Sequence, residues 1–125
     1  MELIQITEGL PKELTDLLLD EEIVYYFSYF PGGSENSGGC FSKTLTYTNW
    51  LCFTNRRVLY DIPFNRERGE ITLEKKSTIS FEQIGKNLFM NLHTSTRKLN
   101  IRISTQEKAN QIRAYFNAII EKLEG

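Results

Sequence analysis

With 125 residues, 40% of them apolar and 25% charged, the chain can bury one domain core without disulfides or a structural metal, and its composition excludes disorder. The 15 Lys and Arg against 16 Asp and Glu leave a formal charge of -1, so no global field draws the chain to nucleic acid or an anionic membrane, and any basic site must be local. No apolar run reaches the ~18 residues that span a bilayer, and "MELIQITEGL" is acidic where a signal peptide needs basic residues, so a cytoplasmic location is expected.

In "LPKELTDLL", Leu10, Leu14, Leu17 and Leu18 fall at i, i+4, i+7 and i+8 behind Pro11, which predicts a short amphipathic helix over about residues 10–19. The pattern then changes to aromatic and β-branched residues in "EIVYYFSYF", a first strand that should stop at Pro31. The Gly-, Ser- and Asn-rich stretch from Pro31 to Ser42 reads as an exposed loop. A second strand over about residues 43–53 has Leu45, Tyr47, Leu51 and Phe53 alternating with threonines, so one of its faces is buried. After "TNR", Val58, Tyr60 and Ile62 should point inward, with Arg57, Leu59 and Asp61 outward. Asn55 there tolerates the left-handed backbone of a tight turn.

A third hairpin is expected from Ile71 and Leu73 to Ile79 and Phe81 across "EKKS", and a fourth from Leu88, Met90 and Leu92 to Leu99, Ile101 and Ile103 across "HTSTRK". Finally Ala109, Ile112, Phe116, Ile119, Ile120 and Leu123 repeat at three and four, and Ser104 with Glu107 has capping-box spacing, predicting a helix over about 105–123. Burying its five large apolar residues is worth roughly 8–15 kcal/mol, as much as the net stability of a domain, so this helix must pack on the sheet. Consecutive antiparallel strands before one long amphipathic helix give an α+β fold, most simply a bent sheet or open barrel with the helix plugging one end.

The acidic pair Glu21 and Glu22 before the first strand and the corner Thr54, Asn55, Arg56, Arg57 in "FTNRRVLYDI" resemble the bacterial pleckstrin-homology-like (PH-like) domains, over roughly residues 10–123. The resemblance implies a PH-like barrel of about seven antiparallel strands, with a short N-terminal helix and a C-terminal helix capping one end. It implies little about function, because that fold hosts lipid, peptide and assembly roles. The long Pro31–Ser42 loop and the long aromatic first strand depart from the plainest members.

Candidate sites follow from residue chemistry. The loop that would hold a phosphoinositide carries one acid, Glu35, and one base, Lys43, too little to gather a polyphosphate. Gly33 and Gly38 have a nucleotide-loop interval, but Gly39 and Cys40 stand where Lys and Ser or Thr are required. Cys40, Cys52 and His93 fall short of a zinc site and read as reduced thiols and a surface turn residue. No carboxylate pair or nucleophile accompanies His93, so neither an enzyme, a cofactor nor a small-molecule substrate is expected. Arg56, Arg57, Arg66, Arg68, Lys75 and Lys76 form a candidate anion or partner patch, offset by Asp61, Glu67, Glu70 and Glu74 in the same window. Tyr25, Tyr26, Tyr29 and Phe30 put rings on both faces of the first strand, and the outward face must be covered by the N-terminal helix, the glycine loop or another chain. The expectation is a non-enzymatic interaction module acting through a protein partner or self-assembly, with attachment to an anionic surface as the alternative.

Overall fold

The computed structural model of the chain describes residues 1–36 and 44–123. It contains one helical turn, α1 (Lys12–Thr15), strands β1 (Val24–Asn36), β2 (Thr44–Thr54) and β3 (Arg57–Ile62), and a 3-10 turn (Pro63–Asn65). Strands β4 (Glu67–Thr72), β5 (Thr78–Ile84), β6 (Asn87–His93) and β7 (Lys98–Ile103) follow, and α2 (Gln106–Lys122) ends the fold. The first four strands pair in chain order as one antiparallel sheet and the last three as another. The fold is α+β with two antiparallel sheets and a C-terminal helix.

Among the described residues no ladder joins β4 to β5 or β7 to β1, so the seven strands do not close into the expected barrel. The expected hairpin across "EKKS" is likewise absent, because that link turns out of the first sheet. Ser77 N donates to Glu74 O at 2.9 Å while Glu74 N donates to Ser77 Oγ at 2.9 Å, and Ile71 and Ile79 end in different sheets. The β6–β7 pairing matches its alternation, with Leu88 opposite Ile103 and Leu92 opposite Leu99.

The first strand runs five residues past the point where Pro31 should end it. Proline lacks an N–H to donate, but β1 is an edge strand, and the register shifts between Pro31 and Gly33, so the ring sits beside a bulge rather than in a central ladder. Of the expected loop, Gly38, Gly39, Cys40 and Lys43 lie outside the described residues. A second shift, between Val24 and Tyr26, makes Tyr25 the extra residue and turns the face of the strand at that point.

Two apolar clusters result. The main core lies between the sheets and receives Ala109, Ile112, Phe116 and Ile119 from α2. The cap of that helix is one residue later than its spacing suggests, since Thr105 Oγ1 accepts from Lys108 N at 3.2 Å. The second cluster, on the outer face of the four-stranded sheet, unites Leu14, Val24, Trp50, Cys52 and Leu59, with Ile6, Leu10, Leu18 and Phe27 against them. The N-terminal segment therefore covers the outward face, and Leu59 is buried rather than exposed.

That segment is a strap with a single helical turn, not a helix from 10 to 19. Thr15 Oγ1 lies 3.1 Å from Lys12 O, the next bonds close only i to i−3 turns, and Leu17 O is taken by Arg57 Nη2 at 2.6 Å. So short a helix has little stability of its own, and these competing bonds end it. Leu14 is fully buried, whereas Leu17 is 40% exposed.

Candidate functional site

The corner between β2 and β3 is built by side chains. Thr54 Oγ1 accepts from Arg56 N at 3.2 Å and Arg57 N at 3.0 Å and donates to Glu22 Oε2 at 2.8 Å. Asn55 makes a reciprocal pair with Ile23, its N–H donating to Ile23 O at 2.9 Å and its Oδ1 accepting from Ile23 N at 3.0 Å. The described left-handed non-glycine residues are Glu21 and Arg66, so Asn55 acts here through its side chain, not through the left-handed backbone expected of it.

Arg57, expected to face outward, is 7% exposed. Its Nε and Nη2 each donate at 2.7 Å to the two oxygens of Glu22, and Nη1 donates to Glu70 Oε2. Burial pushes the Glu22 carboxyl up, but hydrogen bonds from Arg57, Leu19 N and Thr54, with the attraction of Arg57, outweigh it and hold the group below its usual range. Those carboxylate bonds, Glu22 first, outweigh burial and keep Arg57 charged more firmly than a free guanidinium. The cluster clasps the strap to the sheet. Burial, with the charge of Glu22 adding to it, raises the nearby Cys52 thiol to about 12, which leaves it protonated and unreactive.

The other bases of the candidate patch lie at separate places. Register puts Arg57 opposite Thr72 at one end of the β3–β4 hairpin and Asp61 opposite Arg68 at the other. Exposed Arg56 belongs to the first end, with Lys75 and Lys76 just beyond β4. Lys75 Nζ donates to Ile120 O and Glu121 O, both at 2.9 Å, and so caps the carbonyl end of α2. Arg66 and Arg68 belong to the far end, where Arg68 Nη2 lies 3.3 Å from Glu13 O.

The four rings of the candidate interface are also divided. Tyr26 and Phe30 are in the main core and unavailable to a partner, Tyr25 packs partly buried against it, and Tyr29 is 48% exposed with its ring edge-on to Phe27 at 5.0 Å. His93 is exposed at the end of β6, opposite Thr78 and Lys98. Among the described residues no three His, Cys, Asp or Glu side chains are grouped to hold a metal, and no helix is long and apolar enough to cross a membrane.

A site that the sequence reading passed over lies between the two sheets. A cleft of about 260 Å³ is bounded by Gly32, Gly33, Asn49, Phe64, Phe89 and Arg102, with Asn65, Asn87 and Asn100 also lining it. A second depression of about 460 Å³, lined by Pro31, Thr46, Tyr47 and Thr48, shares Gly33 and Arg102 with the first. The Tyr47 and Phe64 rings stand edge to face at 5.3 Å, and Phe64 is 44% exposed. The two hollows follow the seam of β1 and β7, edge strands of different sheets.

Asn49 is 3% exposed, and its Oδ1 has no hydrogen-bond donor among the described residues. A buried amide acceptor left in this way costs about 1–3 kcal/mol. Gly32 makes room for it, since a Cβ there would stand 2.4 Å from that oxygen and 3.0 Å from Tyr47 O. Among the described residues neither hollow is lined by Lys, Asp or Glu, although a quarter of the chain is charged. Among the described residues the one charged side chain lining them is half-buried Arg102, and no described carboxylate lies within 4.0 Å of it. Compared with protein-family models, with curated proteins and with solved structures, the chain matches none.

Proposed function

We propose that the chain is a non-enzymatic PH-like interaction module that contacts a protein partner, or a second copy of itself, through the seam between its sheets. The carrying observation is the lining of that seam. Tyr47, Phe64, Phe89 and Arg102 sit among asparagines and glycines, with no Lys, Asp or Glu among the described residues. Aromatics and arginine at the centre, with lysine and carboxylates depleted, are the composition of a protein–protein interface core. Further support comes from the order of seven strands and a C-terminal helix packed into the inter-sheet core, the order a PH-like fold calls for. The outer face of β1 to β4 is engaged by the strap, which leaves the seam for a partner.

The test compares the wild-type chain with Phe64→Ser/Arg102→Gln by affinity capture from the cells that make it, after equal folding has been checked by circular dichroism. A protein held by the wild type and lost from the variant is the expected result. Equal capture by both chains would overturn the reading. Sedimentation with anionic liposomes that falls steeply with salt, and is blocked by Arg56→Gln/Lys76→Gln, would replace it with membrane attachment.

A further inference from the structure

We infer that the β1–β7 seam takes an extended peptide carrying a carboxylate, an assignment that rests on the interaction-module reading above. Four observations define the occupant. Asn49 Oδ1 is buried in the floor without a donor among the described residues, so the occupant must present an N–H or O–H at that depth. Arg102 lines both hollows with no carboxylate partner among the described residues, so the occupant must bring an anion. Asn65 and Asn87 add carboxamides at the rim, and each carboxamide has an acceptor and two donors, the set that a peptide main chain complements whatever its side chains.

The fourth observation is topological. The hollows lie where β1 and β7 have no ladder partner on their facing edges among the described residues, and such edges hold backbone groups that an added strand can pair with. A strand in the seam would lay its main chain between Gly33 and Arg102, under the Tyr47–Phe64 ring pair. Gly33 keeps the floor low, with its backbone at φ 112° and the Phe64 ring 3.4 Å from where a Cβ would be. The carboxylate is an Asp or Glu side chain or a C-terminus placed against Arg102, where a guanidinium grips it bidentately.

A random linear peptide library is selected on the folded chain, and the enriched peptides are titrated into isotope-labelled protein. Enriched sequences are expected to share an acidic residue or a free C-terminus and to shift the amides of Gly33, Asn49, Asn100 and Arg102. They should bind Arg102→Gln about tenfold more weakly and Arg56→Gln unchanged. Asn49→Leu should weaken them similarly while leaving the melting temperature equal or higher, since it removes an unpaired acceptor; a merely structural Asn49 would lower the melting temperature instead. The assignment fails if the library yields no binders, if they bind Arg102→Gln undiminished, or if inositol phosphates or mononucleotides shift the same amides and peptides do not. Peptides that bind tightly but shift a different surface also refute the seam while leaving the module reading intact; that reading falls only with equal capture by Phe64→Ser/Arg102→Gln.

Discussion

Glu22 and Arg57 show how far apart a residue's charge and its role can be. Paired arginines in "TNRR" suggest a ligand site, yet the second of them is satisfied by Glu22, Glu70 and Leu17 O within the chain. Removing one partner of a buried pair leaves the other charge unpaired, so Glu22→Gln is expected to cost about 3–5 kcal/mol in urea unfolding. The sign of the pH effect follows from the lowered Glu22 value. A depressed carboxyl contributes stability that is fully present above its unfolded value, near 4.5, and is lost as pH falls through the lower folded value. The gap in unfolding free energy between wild type and Glu22→Gln should therefore be constant near neutrality and shrink below that pH. A gap that widens with acid would contradict the clasp. Gly32 gives the second prediction at this scale. Gly32→Ala must displace Asn49 or the backbone of Tyr47, and about 1–3 kcal/mol of destabilisation is expected by thermal unfolding, the usual cost of overpacking.

At the scale of elements, periodicity located α2 and the β6–β7 pair well, because each buries a single face and its apolar residues report that face directly. Periodicity alone did not distinguish Ser104 from Thr105 as the cap, because both carry hydroxyls and only the chain path decides between them. Thr105→Ala is expected to cost about 1 kcal/mol and Ser104→Ala close to nothing, measured by urea unfolding. The strap was harder to read. Its leucines have helical spacing, but Leu17 gives its carbonyl to an arginine 40 positions away, which no local pattern reveals. Trp50, the only tryptophan, is 2% exposed beneath Leu14. Leu14→Ala should cost about 2–5 kcal/mol, and it should shift Trp50 emission to the red if the strap loosens. Unchanged emission together with unchanged stability would mean that the strap does not seal this face.

For the whole molecule, the class and the strand count were legible because strand and helix periods alternate cleanly along the sequence. The division into two sheets was not, since "EKKS" is as polar as a hairpin turn and only its internal hydrogen bonds turn it out of the sheet. The seam was hidden for a related reason. Its residues come from β1, β2, the end of β3, β6, β7 and the Pro63–Asn65 turn, segments scattered along the chain that no single motif joins. One local clue existed, an asparagine at position 49 on the inward alternation of Tyr47, Leu51 and Phe53, where strands seldom place one. The rings of β1, prominent in the sequence, are mostly spent on the two apolar clusters.

The seam, rather than the first-strand aromatics or the basic residues, is therefore the surface to test by position. A photo-crosslinking side chain placed singly at Phe64, at Tyr29 and at Ile84, all exposed, and activated in the cells that make the protein, reads which surface meets a partner. Discrete protein adducts from position 64, with none from 29 or 84, are the result this structure predicts. Adducts from 29 or 84 and none from 64 would contradict it.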